Sequence, residues 1–149
     1  MIALGIDPGE KRIGVAVSDE LGRLASPLTV IAHTSLKADV ARVGELASER
    51  KAERIVVGLP LNLNGSVGPA ARRARRFANA LRRNLGLPVE LWDETLTTVE
   101  AGLQLRSASS HPERSRGAEG TLARREEVDK VAAAIILQSY LDAHRGAGE

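Results

Sequence analysis

The chain contains no cysteine, which excludes disulfides, thiolate metal sites and cysteine nucleophiles. Its three histidines, His33, His111 and His144, are too scattered in the sequence for a recognisable zinc pattern. Any metal site must therefore be built from oxygen ligands. Carboxylate sites of that kind favour Mg²⁺ or Mn²⁺, the hard cations used in phosphoryl transfer.

Aromatic residues are equally scarce, since Phe77, Trp92 and Tyr140 are the full set. Proteins that recognise single-stranded bases stack them on aromatic side chains, so this composition excludes such a platform and favours contacts to the nucleic-acid backbone. The longest apolar run, residues 131–137, is much too short to span a membrane. The N-terminus has no features of a signal peptide, and we expect a cytoplasmic protein.

Acidic residues are absent between Glu53 and Glu90, and seven arginines fall in that segment. Six of them lie on a predicted helix that starts at Pro69 and carries small and apolar residues at helical spacing on its other face. Arginine suits phosphate recognition through its planar fork, although a charged helix face is commonly just solvated. We predict phosphate contacts from Arg72, Arg73, Arg76 and Arg83.

What remains is an ordinary globular composition. The 149 residues are 43% hydrophobic and 27% charged, with a formal net charge of only +2. This size and balance predict a single folded domain over residues 1–149 with one substantial core. Net charge alone is weak evidence for a nucleic-acid partner.

One carboxylate stands where an apolar strand breaks into a tight turn. Asp7 follows alternating apolar residues and precedes Pro8 and Gly9, which end the strand and permit a sharp turn. A second strand follows at once, so a hairpin is predicted with Asp7 at its mouth. Such an acid suits a metal or phosphate site, but a side chain that only caps the turn is an equally good interpretation of this motif alone.

Three further blocks accompany that motif in order: GLPLNLNG at residues 58–65, WDETLTTVEA at 92–101 and EVDKVAAAIILQSYLD at 127–142. Together the four blocks resemble the YqgF/RuvX family of RNase H-like proteins, whose members are described as Holliday junction resolvases and pre-16S rRNA nucleases. The resemblance spans nearly the whole chain.

The resemblance implies an α/β, RNase H-like fold whose central mixed five-stranded sheet combines a three-stranded antiparallel meander with parallel strands and is flanked by helices. It also implies a nuclease that hydrolyses phosphodiester bonds with Mg²⁺ or Mn²⁺. We favour processing of the 5′ end of precursor 16S rRNA by a monomer. Holliday junction resolution, which needs a dimer, and a non-catalytic RNA-binding assembly factor remain alternatives. Nucleotide binding, as in sugar kinases, is disfavoured because those enzymes use two such domains.

Three acids are the expected catalytic and metal-binding residues: Asp7, Glu94 and Asp129. Asp93 and Glu94 are adjacent and must point to opposite sides of an extended chain; the resemblance favours Glu94, with Asp93 supporting. Asp129 borders the buried face of the last predicted helix, where it could also act only as a cap. The small residues at 132–134 would let this helix approach the sheet and bring Asp129 toward Asp7.

Cations near these acids are candidates for phosphate contacts, namely Lys11, Arg12 and Arg125. The first two follow the Asp7 turn and match the family's motif. One departure from the family bears on activity, because Thr95 stands where the family commonly has arginine. If that arginine normally holds the scissile phosphate, either one of these cations must replace it or turnover is reduced.

Periodicity predicts strands at residues 2–6, 13–17, 24–31, 54–58 and 89–92. It predicts helices at 36–50, from Pro69, at 97–106 and over the last block. Residues 107–125 are rich in Ser, Gly, Arg and Glu and carry Pro112, which predicts a mobile loop. That loop would be either a flap over the substrate or a tolerated insertion.

Overall fold

A computed structural model describes residues 1–61, 64–93 and 117–144, with the backbone alone at 117–123. The described residues form five strands and three helices. The strands are β1 (Ala3–Pro8), β2 (Arg12–Ser18), β3 (Ala25–Ala32), β4 (Arg54–Leu59) and β5 (Val89–Asp93). The helices are α1 (Leu36–Arg50), α2 (Pro69–Leu85) and α3 (Gly117–His144).

The five strands make one mixed sheet in the order β3-β2-β1-β4-β5. The pairs β1–β2 and β2–β3 are antiparallel, whereas β1–β4 and β4–β5 are parallel. Antiparallel neighbours need only short turns, but parallel neighbours need a crossover, which α1 and α2 provide. The predicted meander followed by parallel strands is therefore confirmed.

Side chains alternate across the sheet and divide the core in two. Leu4, Ile6 and Val15 face α1 and α2, in a cluster that includes Phe77 and Leu81 of α2. The opposite face meets α3, whose buried residues pack on Ala3, Ala16 and Val56. Because both faces are covered, β1 and β4 are buried almost throughout.

Helix α2 has the start and the buried face that its sequence predicts. Pro69 is at the first helical position and Gly86 ends the helix in the left-handed conformation. Its buried stripe includes Ala71, Ala74 and Leu81, as expected. Phe77 joins that stripe and fixes the helix against the hairpin end of the sheet.

Helix α3 starts earlier than the sequence predicts, and two other predicted segments cannot be compared with the structure. Helix α3 begins at Gly117, so residues 117–125 are helical where the sequence predicted the second half of a loop. The run AEGTLARREE is rich in strong helix formers, which explains the longer helix. Residues 107–116 and the helix predicted at 97–106 lie outside the described residues.

Helix α3 packs unusually close to β1 and β2 because both strands carry glycine beneath it. A Cβ added at Gly14 would lie 2.1 Å from the main-chain oxygen of Asp129, and one at Gly5 would lie 2.6 Å from the Cβ of Leu137. Real side chains cannot occupy such positions without a shift of the backbone. The glycines thus form a notch that receives the helix.

No helix among the described residues is long and apolar enough to cross a membrane.

The close packing of α3 on Gly14 can be tested by substitution. Gly14→Ala should lower the free energy of unfolding by about 2–3 kcal/mol, because the new methyl group meets main-chain atoms of α3 that cannot rotate away. Urea unfolding checks this.

A matched control is Gly44→Ala in α1, where the added Cβ would meet only Cδ2 of Leu85, the end of a flexible side chain, at 2.8 Å. Alanine also favours the helix, so this variant should equal or exceed the wild type in stability. A wild-type unfolding midpoint for Gly14→Ala would mean that α3 does not pack at this distance.

Candidate active site

Asp7 lies in β1 directly opposite Gly14 of β2 and faces α3. The next residue, Pro8, ends the strand, and the main-chain N–H of Gly9 donates to the carbonyl oxygen of Arg12 at 3.0 Å to close the turn. The turn is tight because a Cβ at Gly9 would lie 2.4 Å from that same oxygen. Asp7 is thus half-buried at the mouth of a rigid hairpin, as the sequence predicts.

Asp129 reaches the same place from α3. The main chain of Asp129 rests over Gly14, the residue that pairs with Asp7, so both carboxylates lie above the same strand pair. Ala133, one turn further along the helix, is fully buried against the sheet. The predicted approach of Asp129 to Asp7 is supported, with the strand glycines contributing as much as the helix alanines.

Arg12 connects the hairpin to α3. Its Nε donates to Asp129 Oδ2 at 2.8 Å, and the two side chains are 21% and 27% exposed. Partial burial strengthens such a pair relative to one in open water. The sequence predicts Arg12 as a phosphate ligand, whereas in this structure it holds the carboxylate of Asp129.

The electrostatics of Asp7 reflect this crowding. Burial, and to a smaller extent the negative charge of Asp129, raise the pKa of Asp7 from 3.8 to about 6. Both causes disfavour the ionised carboxylate. A positive charge between the two acids would offset both effects, so the arrangement is compatible with a bound cation.

The third predicted acid, Glu94, lies outside the described residues, as does Thr95. Asp93 is the last residue of β5 and is exposed. The neighbouring side chains show how β5 is oriented: Trp92 Nε1 donates to Ser139 of α3 at 3.1 Å, while Leu91 packs on the opposite core. Within the described ranges, no three acids or histidines lie together as a metal-binding group.

The other predicted cations near the site have different surroundings. Lys11 is exposed at the hairpin turn. Arg125 is exposed on α3, four residues before Asp129 and therefore one turn away on the same side of the helix. The ion-pair partner that the structure records for Asp129 is Arg12.

The seven arginines of the acid-free segment do not form one surface. Arg54 donates from Nη1 to the hydroxyl of Tyr140 at 2.6 Å, and Arg82 donates from Nε and Nη2 to the carbonyl of Val89. These two side chains have structural roles. The predicted phosphate ligands of α2 remain exposed or half-buried: Arg72, Arg73, Arg76 and Arg83.

A second polar group near the hairpin was not predicted from the sequence. His33, just after β3, pairs through Nδ1 with Asp39 of α1, whose side chain is only 4% exposed. The sequence gives no sign of this pair, because an acid such as Asp39 is favourable in the first turn of any helix. Its partner could be identified only from the fold.

Comparisons with known proteins agree over nearly the whole chain. The sequence profile of the RuvX family, described as Holliday junction resolvase, matches residues 1–143. A relative from Myxococcus xanthus is 49% identical over 145 residues, which cover 97% of this chain and 90% of the relative. One from Chloroflexus aggregans is 47% identical over 143 residues, covering 95% and 94%. Both relatives are named "Putative pre-16S rRNA nuclease".

Solved structures with a similar fold include resolvases. T. thermophilus RuvC in complex with Holliday junction substrate matches with a TM-score of 0.58 at 21% identity, covering 98% of this chain and 96% of the RuvC chain. Fowlpox virus resolvase with Holliday junction DNA gives a TM-score of 0.53 at 12% identity, covering 96% and 98%. These similarities confirm the predicted RNase H-like α/β fold.

The raised pKa of Asp7 predicts a pH-dependent gain in stability for Asp7→Asn. A raised carboxyl pKa contributes stability that is full below about pH 4 and is lost as the pH rises through about 6. In chelator, the variant should match the wild type near pH 4 and exceed it by about 1–3 kcal/mol at pH 8. Urea unfolding at several pH values measures the difference.

The matched control is Glu49→Gln, which removes an exposed carboxylate from α1 and should change stability little at any pH. If Asp7→Asn behaves like this control at pH 8, Asp7 is an ordinary solvated acid.

Proposed function

This chain belongs to the RuvX family, and from that premise we propose that it is a metal-dependent nuclease that hydrolyses phosphodiester bonds. The observation that carries the proposal is the convergence of Asp7 and Asp129 across the β1–β2 hairpin and α3. Two neighbouring acids, one of which has its ionised form disfavoured by burial and by the charge of the other, suit a site whose working state includes a cation.

The residues present fit a divalent cation. Asp7 and Asp129 supply hard oxygen ligands, and the chain has no thiolate to attract softer metals. We assign Glu94 as the third ligand, with Asp93 supporting. Trp92 contacts α3, and side-chain alternation along β5 turns Asp93 to the other face of the sheet, which supports the choice of its neighbour as the ligand. When bound, Mg²⁺ or Mn²⁺ supplies an activated water and neutralises charge on the phosphate.

Arg12 is proposed to have two partners in turn. Bound to Asp129, it neutralises that carboxylate in the metal-free protein. Once a cation takes over this role, the guanidinium is available to a substrate phosphate, for which its planar fork is well suited. Arg12 would then replace the arginine that the family commonly has where this chain has Thr95, with Lys11 and Arg125 assisting.

The remaining contacts to nucleic acid are assigned to the backbone-binding arginines of α2: Arg72, Arg73, Arg76 and Arg83. Their helix packs against the sheet at the same hairpin end as Asp7. Aromatic stacking contributes little, because Tyr140 is buried and packs edge-to-face on Trp92 with ring centroids 5.4 Å apart. Binding is therefore expected to depend on charge and shape, with little dependence on base sequence.

RNA is the favoured substrate, and the proposed role is trimming the 5′ end of precursor 16S rRNA during ribosome biogenesis in the cytoplasm. The names of the 47–49% identical relatives support this. The placement of apolar side chains also supports this role, because it favours a monomer. The large exposed apolar residues among those described do not form a stripe along any helix that could pack against a second copy: Met1, Leu21, Leu24 and Leu36. A monomer with one active site suits trimming of a single strand.

Holliday junction resolution is the second candidate, favoured by the family's description and by the resolvases that share the fold. It requires a two-fold dimer that makes paired cuts. A non-catalytic assembly factor is the outcome expected if no substrate is cleaved.

The catalytic assignment predicts that Asp7→Asn and Asp129→Asn each abolish cleavage while the protein stays folded. Each variant removes a ligand charge without changing side-chain shape, so the loss should be at least about 100-fold. The amide at 129 also breaks the ion pair with Arg12, which costs stability by about 1 kcal/mol or less because both partners are partly exposed.

Single-turnover cleavage rates with Mg²⁺ and Mn²⁺, measured beside melting curves, check this prediction. Glu94→Gln should be equally inactive and Asp93→Asn much less impaired; the reverse order would exchange the roles of these two acids. Wild-type cleavage by Asp7→Asn would refute the site.

Substrate choice is tested by a cleavage panel of single-stranded RNA with a structured end, single-stranded DNA, duplex and four-way junction, in Mg²⁺, Mn²⁺ or chelator. We expect metal-dependent cleavage of the RNA and no symmetric nicking of the junction. Analytical ultracentrifugation should show a monomer. A tight dimer together with paired junction cuts would replace RNA processing by resolution, and an inactive wild type that still binds RNA would favour the assembly factor.

A further inference from the structure

A second cavity lies on the other side of the β1–β2 hairpin from Asp7 and Asp129. It has a volume of about 270 Å³ and opens between the hairpin, the start of α1 and the first turns of α2. Its lining includes Pro8, Ile13, His33, Asp39, Arg73 and Arg76. The cavity is large enough to hold a phosphate group together with part of its nucleoside.

The polar floor of this cavity is organised before any ligand binds. Asp39 Oδ2 pairs with His33 Nδ1, and Asp39 Oδ1 accepts the main-chain N–H of Thr34 at 3.3 Å. The main-chain N–H of His33 donates to the carbonyl of Lys11 at 3.0 Å, which ties the histidine to the hairpin turn. Since Nδ1 is engaged, Nε2 is the ring atom left for a ligand, and the side chain is 44% exposed.

The charges around the cavity favour an anion. Arg73 and Arg76 contribute two guanidinium groups from α2, against one exposed carboxylate, Glu10, at the hairpin turn. The carboxylate of Asp39 is already shared between His33 and Thr34. Two arginines match a phosphate, which accepts several charge-assisted hydrogen bonds at once, and His33 adds a donor at Nε2 when both of its ring nitrogens are protonated.

The position of the cavity relative to the candidate active site indicates that the phosphate belongs to a nucleic-acid strand. Pro8 and Ile13 are paired across the hairpin and face the cavity, and the adjacent pair, Asp7 and Gly14, faces α3. Successive residues of a strand point to opposite faces, so one hairpin separates the cavity from the candidate active site. A nucleic-acid strand that crosses the hairpin turn could reach both the cavity and the candidate active site.

We propose that this His33–Arg76 pocket binds a phosphate group of the nucleic-acid strand, as an anchor outside the metal site. The identity of the ligand rests on the proposed nuclease function, whereas the anion-binding chemistry rests on the pocket alone. The group is either the terminal phosphate monoester of the strand or an internal phosphodiester; both use the same donors.

Imidazole NMR provides the test, because the chain has only three histidines and His33→Gln assigns the resonances of His33. Asp7→Asn protein in chelator is titrated with inorganic phosphate, then with the same short RNA carrying a 5′-phosphate or a 5′-hydroxyl. The chelator and the Asp7→Asn substitution are each expected to prevent cleavage, so the binding result does not depend on nuclease activity. Saturable shifts of the His33 ring signals are expected with the RNA.

Two arms distinguish the sources of the phosphate. A response to free phosphate and to the 5′-phosphorylated RNA, but not to the 5′-hydroxyl RNA, identifies a terminal monoester. An equal response to both RNAs identifies an internal phosphate. Both results support the pocket. If RNA binds with no change at His33, the proposal is overturned even if cleavage in the wild type is normal.

Matched double variants complete the design. Arg73→Ala/Arg76→Ala should weaken RNA binding by about tenfold or more and reduce the salt slope by about 0.7, as expected for one lost phosphate on a single strand. Arg50→Ala/Arg75→Ala removes the same charge from exposed positions of α1 and α2 that do not line the cavity, and should bind nearly as well as the parent. Equal losses in both double variants would mean that only overall charge matters.

Discussion

The close contact between α3 and the first two strands is the constraint on which the candidate active site depends. Gly5 and Gly14 leave no side chain between helix and sheet, so the main chain of Asp129 rests directly on β2. Any larger residue at 14 would push the turn of α3 that carries Asp129 away from the sheet and from Asp7. The glycine notch therefore determines whether two acids far apart in the chain form one site.

That contact has an electrostatic consequence. Asp7 is held in a partly buried position near a second carboxylate, which raises its pKa to about 6, while Asp129 is balanced by Arg12. At neutral pH this arrangement lowers the stability of the metal-free protein, and a bound cation would offset that loss. Folding energy from the core, including the fully buried Leu4 and Ile6, offsets this cost. The two faces of the hairpin carry different groups: Asp7 and Asp129 lie on one face and the His33–Arg76 pocket lies on the other.

Most of the fold was predictable because its elements follow local rules. Period-two alternation located β1, β2 and β3 to within two residues, and helical periodicity gave α1 its observed bounds. The tight turn after Asp7 followed from Pro8 and Gly9. The start of α3 was missed, because a Ser- and Gly-rich composition suggested a loop where strong helix formers extend the helix to Gly117.

The order of the elements and the oxygen-only chemistry of any metal site follow from the sequence alone. The same is true of the acids and arginines that such a site could use. All of these depend on composition and on neighbours in the chain. Only the tertiary structure decided which of those groups meet. Arg12 and Asp129 are 117 residues apart, and His33 joins Arg73 only where β3, α1 and α2 converge. Such pairs depend on packing between distant segments, for which local periodicity carries no information.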